Sequence, residues 1–462
     1  MARRTSIHGQ WSSRWAFILA ATGSAVGLGN IWRFPYMAGQ NGGGAFVLLY
    51  IGCVVIVAVP IMICEILLGR RGRMSPVNTM KELAKEENAS PYWQVIGVMG
   101  LIAGFIILSY YSVIAGWTLA YIFRAGSGVF TGTTSKETAQ MFSELISDPE
   151  KLLAWHTIFM VMTTIVISRG VRSGLEQAVR ILMPALFLLL LVMVGYAMST
   201  EKFMDGLAYM FVPDFGKLAG NFREIFINAM GQAFFSLSIG MGAIMIYGSY
   251  LSDRASITAS TFVIAIADTG VALLAGIAIF PIVFTYGLEP GGGPGLIFVT
   301  LPIAFGQMPG GAFVGTLFFF LLMFAAWTSA ISLLEPAVTW LVENMGLTRV
   351  KAAAYAGMVA WLLGIITIMS FNRWAFGFSF AGQEKTNGLF DVFDILAANI
   401  MLPVGGVLIA VFTAWMMSKD STFEELNIPP IVYKLWLFVV RYVAPVGVIL
   451  IFLQAIGVFH NR

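Results

Sequence analysis

The sequence predicts an all-α integral membrane protein of about eleven transmembrane helices. It predicts two five-helix inverted repeats, with helices 1 and 6 broken. Three observations carry this. First, the 462 residues are 58% hydrophobic and only 11% charged, with mean hydropathy +0.83, whereas soluble domains carry about 25% charged residues. Second, apolar runs long enough to cross a bilayer, about 20 residues each, recur along the whole chain. Third, two of these runs are interrupted at their middle by Gly and Ser, five runs apart.

The composition excludes a cytosolic enzyme, a nucleic-acid binder and a disordered chain. Net charge is only +3, so the lipid bilayer, not an acidic polymer, is the expected partner. Cys53 and Cys64 sit eleven residues apart in one apolar run, about 16 Å along a helix, too far for a disulfide. Three His and two Cys without ligand spacing argue against zinc or iron. No nucleophile–base set, phosphate loop or dinucleotide fingerprint occurs, so no enzyme activity and no organic cofactor are expected.

In chain order the spans fall near 13–37, 43–69, 93–124, 154–168, 174–199, 224–250, 256–285, 312–343, 350–371, 390–417 and 431–459. Residues Arg169–Ser173 form the turn between the fourth and fifth. The stretch Phe298–Phe305, bracketed by Pro290–Pro294 and Pro309–Gly311, is apolar but too short to span. It reads as a re-entrant or capping loop. The chain is one transmembrane domain, 1–462, with repeats 13–199 and 224–417 and an extra helix at 431–459.

Orientation follows from Lys and Arg near the helix ends. With the N-terminus in the cytoplasm, the inner loops hold Arg3, Arg4, Arg70, Arg71, Arg73, Lys81, Lys85, Arg169, Arg172, Arg180, Arg254, Arg349, Lys351, Lys419 and Lys434. The outer loops mix signs, as in Lys136–Glu150 and Glu201–Arg223. A cleaved signal peptide is the alternative for the first run, but that run continues into a Gly-rich tract and not a cleavage site.

The interruptions are Gly23-Ser24-Ala25-Val26-Gly27-Leu28-Gly29-Asn30 and Ser236-Leu237-Ser238-Ile239-Gly240-Met241-Gly242. Small residues can simply allow close helix packing. Asn30, Ser236 and Ser238, however, are polar groups that need partners at membrane depth. Unwound backbone there is tolerated only where it lines a cavity, and it offers helix N-termini to an anion and free carbonyls to a cation.

Further motifs are Trp11-Ser12-Ser13-Arg14, Ile31-Trp32-Arg33-Phe34-Pro35-Tyr36, Asn41-Gly42-Gly43-Gly44-Ala45-Phe46, Gly231-Gln232-Ala233-Phe234-Phe235 and Thr328-Ser329. With these the chain resembles the neurotransmitter:sodium symporters, most closely the bacterial amino-acid transporters of that family. The match runs over nearly the whole length. The resemblance implies sodium-driven uptake by alternating access in a bacterial inner (cytoplasmic) membrane.

Residue by residue, the resemblance implies two sodium sites. The first takes the Ala25 carbonyl with Asn30, Ser236 and Asp268. The second takes the Gly23, Val26 and Ala325 carbonyls with the Thr328 and Ser329 hydroxyls. Hydroxyls and carbonyls suit a hard cation. Alone, the two hydroxyls could equally bond back to their own helix. The implied substrate pocket is Ser24, Ala25, Gly27, Leu28, Gly29, Ile107, Tyr111, Phe235, Ser236, Ser238, Met241, Ser329 and Leu333. Tyr110-Tyr111 could instead belong to an interfacial aromatic belt. Arg33 and Asp394 match the outer gate, under which Phe235 and Tyr111 form a lid. Trp11, Ser249, Tyr250 and Glu343 match the inner gate.

The sequence departs from the family pattern at four points. His8 holds the usual inner-gate Arg position, with Arg3 or Arg4 as substitutes. Glu343 replaces an Asp. Eleven spans stand against the usual twelve. Asp268 stands where many members have Asn.

Gly27 occupies the place of an Asp in monoamine-recognising members, so a zwitterionic substrate is expected. The mostly apolar side-chain pocket points to neutral hydrophobic L-amino acids, bulky ones included. The chloride site of some relatives would need a hydroxyl at Ala272, beside Tyr50, Gln232 and Ser236. Asp268 can supply that negative charge instead, making uptake chloride-independent, and can carry a proton on the empty return step. An ion channel or transporter-like sensor on the same scaffold and a membrane-embedded enzyme are the competing classes. The channel would need a continuous polar stripe, and the enzyme a reactive pair. The exact substrate, the stoichiometry and the oligomeric state are not fixed by the sequence.

Overall fold

A computed structural model describes residues 4–289 and 294–458. Among these residues, nine helices are long and apolar enough to cross a membrane: Gly44–Gly72, Pro91–Gly126, Pro149–Ser168, Val171–Met198, Ile257–Thr285, Gly311–Met345, Arg349–Ser370, Leu389–Met416 and Pro430–Ala455. Before them, Arg14–Ala25 and Gly29–Gln40 meet at a 59° bend and together make one broken span. The expected sixth span is also in two pieces, Phe222–Ser236 and Ala243–Ser249. The order of the expected segments is thus found, with shifted ends.

The fourth span begins earlier than its apolar run, at Pro149. Asp148 caps it by accepting from Glu150 N at 3.1 Å and Lys151 N at 3.0 Å, and Pro149 suits the first helical position. The polar outer stretches are partly helical as well. Ser135–Ile146 starts from a capping box between Thr134 and Glu137, and Phe203–Phe211 and Phe215–Gly220 follow the fifth span. The short apolar stretch expected as a re-entrant or capping loop is helix Leu296–Gln307. Its Phe298 is buried against Tyr121, Phe142 and Phe319, and its carbonyl accepts from Tyr121 OH at 2.9 Å. Part of its Pro290–Pro294 bracket lies outside the described residues. A hairpin pairs Phe378–Phe380 with Gln383–Lys385.

Both breaks have local causes. In the first span, Val26 turns extended (φ −69°, ψ 105°) and its N–H closes the helix on Thr22 O at 2.7 Å. In the sixth, Ser238, Gly240 and Gly242 all have positive φ, at 54°, 87° and 73°. This conformation ends a right-handed helix, and Gly adopts it without steric cost.

The second span and the second half of the sixth are in backbone contact. A Cβ at Gly69 would fall 1.9 Å from Met245 O, and one at Gly248 would fall 2.8 Å from Ile66 O. Small residues permit such an approach between helices in lipid. In the last turn of the second span Arg70 donates to Ala255 O, in the loop after the sixth span, at 2.6 Å, and just beyond the span Arg73 donates to Ser249 O at 3.1 Å. Cys53 and Cys64 lie on this second helix as buried free thiols.

Candidate functional site

The two breaks face each other across a small cavity of about 60 Å³. Ser24, Ala25, Gly27, Leu28 and Gly29 line it from the first span, and Ile107 and Tyr111 from the third. The sixth contributes Phe235, Ser236, Ser238 and Met241, and the eighth Ser329 and Leu333. Every residue expected in the substrate pocket therefore meets in one space. Asn30, Tyr110 and Ser332 line it too and were not expected there. Ser332 lies three residues after Ser329, on the same helix face, and that spacing was the available signal.

One end of the cavity is polar. Leu28 N donates to Tyr111 OH at 3.3 Å. A Cβ at Gly27 would lie 2.9 Å from that hydroxyl and 3.1 Å from Ser329 Oγ, so no side chain fits at position 27. Tyr110 is buried with its ring edge-on to Phe390, away from any interfacial belt.

Beside the first break, Ser329 Oγ lies 3.3 Å from Gly23 O, 3.3 Å from Ser24 O, 3.2 Å from Val26 O and 3.1 Å from Ala325 O. A hydroxyl carries one proton, so it can satisfy only one of these four oxygens. Ser24 O also accepts from Ser238 Oγ at 2.8 Å and Ala325 O from Thr328 Oγ1, which leaves Gly23 O and Val26 O with no other side-chain donor among the described residues, an arrangement that suits a hard cation. Thr328 Oγ1 bonds back along its own helix, to Phe324 O at 3.0 Å and Ala325 O at 3.1 Å.

On the other side of the break, Asn30, Ser236 and Asp268 form a second oxygen-rich cluster beside Ala25. Asn30 Nδ2 donates to Asp268 Oδ1 at 2.7 Å and to Ser236 Oγ at 3.1 Å. Ser236 Oγ donates to Asp268 Oδ2 at 2.5 Å, and Gly27 N donates to Asn30 Oδ1 at 3.0 Å. Asp268 is fully buried, and these partners are neutral. A buried carboxylate held only by neutral donors is a natural seat for a cation. Ala272 lies buried one turn further on, and the Gln232 amide is buried with Nε2 and Oε1 unpaired among the described residues.

Above the cavity, the Arg33 guanidinium sits 5.1 Å from the Phe235 ring centroid, a cation–π distance. Arg33, Phe235 and Asp394 line a second cavity, in which Arg33 and Asp394 share a space without pairing directly. Phe235 belongs to both walls and separates the two spaces.

Trp11, Tyr250 and Glu343 meet at the opposite end. Trp11 Nε1 donates to Tyr247 O at 3.0 Å, and its ring packs edge-on to Tyr247 and Tyr250. Glu343 accepts from Ser75 N at 2.8 Å and Asn78 Nδ2 at 2.7 Å, and lies 2.9 Å from His8 Nε2. Arg4 does not take that place, because it pairs with Glu86 at 3.2 Å and Glu82 at 4.0 Å. Arg3 lies outside the described residues. Ser249 turns inward to its own helix, donating to Ile246 O at 2.7 Å.

Two fully buried acids escaped the sequence reading. Glu335 accepts from Tyr250 OH at 2.6 Å and pairs with Arg349 Nη2 at 2.5 Å. Glu65 accepts from Gly240 N, at the sixth-span break, at 3.3 Å. A lone Glu in a long apolar run was the signal for each, since such a residue needs a partner.

The sequence profile of the Sodium:neurotransmitter symporter family matches residues 8–139 and 134–462. The chain belongs to this family. Relatives in the symporter family include the uncharacterized sodium-dependent transporter YhdH of Bacillus subtilis, 36% identical over 97% of this chain and 98% of that protein. An uncharacterized sodium-dependent transporter of Haemophilus influenzae is 34% identical over 96% of this chain and 97% of its own. The symporter fold matches the crystal structure of MhsT in complex with L-phenylalanine. The TM-score is 0.87 at 40% identity, covering 97% of this chain and 99% of that one. This chain is thus a multi-span, sodium-dependent transporter with a small-molecule substrate.

Proposed function

We propose that the protein imports neutral, hydrophobic L-α-amino acids together with sodium, by alternating access and without chloride. The observation that carries this is the single cavity between the two helix breaks. One end has the Leu28 amide and Tyr111 hydroxyl for a carboxylate, and its walls are mostly apolar. The absence of room at Gly27 supports a zwitterion, since no protein acid can stand in for a missing substrate carboxylate there. That MhsT takes L-phenylalanine supports the same class.

Two sodium ions enter as co-transported cargo. Asn30, Ser236, Asp268 and the Ala25 carbonyl hold one, and Gly23, Val26, Ala325, Thr328 and Ser329 the other. Asp268 compensates their charge where Ala272 offers no hydroxyl for chloride, and it carries a proton on the return step. Arg33 and Asp394 close the outer side above Phe235 and Tyr111. Trp11, Tyr250 and the His8–Glu343 pair close the inner side. The N-terminus is cytoplasmic, supported by Arg4, Arg70, Arg71 and Arg73 around one cavity at that end. The first and last five of ten spans act as inverted repeats.

Proteoliposome uptake of labelled leucine, tryptophan, glutamate and lysine under a sodium gradient, with chloride replaced by gluconate, tests the proposal. Saturable, sodium-driven uptake of leucine or tryptophan is expected. Uptake of glutamate or lysine alone, or a chloride requirement, overturns it.

A further inference from the structure

The far end of the substrate cavity is not wholly apolar. Leu28 and Tyr111 mark the end assigned above to the substrate carboxylate. The opposite end lies three residues along each wall: Ser24, in the last turn before the break, precedes Gly27 by three residues, and Ser332 follows Ser329 by three. Met241 and Leu333 lie there too, closed off by Gly104, whose Cβ position is 3.2 Å from Leu333 O and 3.7 Å from Met241 O. A substrate side chain directed away from the carboxylate end meets this group.

The two hydroxyls are joined head to tail. Ser24 Oγ donates to Ser332 Oγ at 2.8 Å, and Ser332 Oγ donates to Ser329 O at 2.8 Å. Both protons are therefore spent within the protein. Each hydroxyl oxygen has two lone pairs. Ser332 Oγ uses one for Ser24, while Ser24 Oγ receives no donor from the described residues. Both residues are buried, at 2% and 1% exposure, so water does not readily serve them. The far end thus offers an acceptor and no donor, set among apolar side chains.

We propose that the Ser24–Ser332 pair is a specificity element that selects aromatic substrates carrying a ring N–H or O–H. This rests on the amino-acid reading above and narrows it. The indole N–H of tryptophan is a donor only, and the tyrosine hydroxyl can donate. A ring of the same size without a donor leaves the Ser24 lone pairs unserved, and an unmet buried acceptor costs affinity. The apolar neighbours still take phenylalanine or leucine, but with no gain from the pair.

The test is equilibrium binding in sodium buffer to the purified full-length transporter. The probes are L-tryptophan, its benzothienyl analogue (sulfur for N–H), L-tyrosine and L-phenylalanine. Wild type should prefer tryptophan over the benzothienyl analogue by about five- to tenfold, the range of one net hydrogen bond. In Ser24→Ala that ratio should fall to about one. In Ser332→Ala it should fall only part of the way, because Ser24 Oγ keeps its lone pairs but loses the partner that fixes its proton. If Ser24→Ala does not fold, the wild-type ratio and Ser332→Ala carry the test. An equal affinity for the two indole-sized probes in wild type, or a preference that survives both substitutions, overturns the inference while leaving the amino-acid reading intact. Binding of L-leucine with none of the four probes overturns the inference alone, and failure of leucine as well overturns the amino-acid reading.

Discussion

The Asn30 side-chain amide donates to Asp268 Oδ1 at 2.7 Å, tying the seventh span to the break in the first. A neutral residue at 268 would keep this geometry while removing the only formal charge in the cluster. Asp268→Asn should therefore reduce sodium-driven uptake in gluconate by about tenfold or more, given the weight of an uncompensated cation in a dry site. Uptake measured with and without chloride checks this. Unchanged chloride-free uptake by the variant would refute the role given to Asp268.

Arg33 and Asp394 face one space above Phe235 without touching. Closing that space on a bound substrate brings their opposite charges together. Asp394→Asn should lower the transport rate about tenfold, while sodium-induced thermal stabilisation changes little. Transport at the wild-type rate would remove the pair from the gate.

Gly27 has no room for a methyl group, which would sit 2.9 Å from Tyr111 OH. Gly27→Ala should displace that hydroxyl and weaken substrate binding about tenfold or more, because water does not reach a buried site to serve the polar group left there without a partner. Calorimetric titration of phenylalanine in sodium buffer is the measurement.

Glu335 is fully buried and holds both Tyr250 and Arg349. Removing one member of such a pair leaves the other charge uncompensated, at about 3–5 kcal/mol. Glu335→Gln should lower the melting temperature markedly, and adding Arg349→Met should restore part of the loss. Equal melting of Glu335→Gln and wild type would show the pair to be dispensable.

Glu343 gathers Ser75, Asn78 and His8 at one carboxylate. Glu343→Ala should free the segment that carries His8 and Trp11. Hydrogen–deuterium exchange over residues 6–12 should rise, without a matching rise in the third span. Unaltered exchange would show that the N-terminal segment is held elsewhere.

Much of this arrangement is legible in the residues themselves. Membrane-length apolar runs mark the spans, and the Gly–Ser tracts mark both breaks, because Gly and Ser at midspan are the exception to lipid-driven patterning. Pocket residues on four separate spans could be named only through the family resemblance, since periodicity does not say which helices become neighbours. For the same reason the Glu335–Arg349 pair was missed: a lone Glu in an apolar run signals that a partner is needed, but which residue supplies it is set only when the chain reverses between spans eight and nine. Side-chain direction was the other blind spot. Ser249 and Thr328 both satisfy themselves on the preceding turn, a local option open to any helical Ser or Thr. The outer helices Ser135–Ile146 and Phe215–Gly220 were hidden because they carry capping signals, at Thr134 and Asp214, in place of membrane-length apolar runs.

The close backbone approach of Gly69 to Met245 and of Gly248 to Ile66 bears on how the machine can be divided into parts. Two helices whose main chains touch cannot slide past one another or separate by a fraction of an ångström without undoing the interlock. Their ends are also stapled by Arg73, which donates to Ser249 O. The second span and the inner half of the sixth therefore share one set of rigid-body coordinates. A tilt that starts at the Ser238–Gly242 joint is delivered whole to the distant end of the second span, with no slack between them.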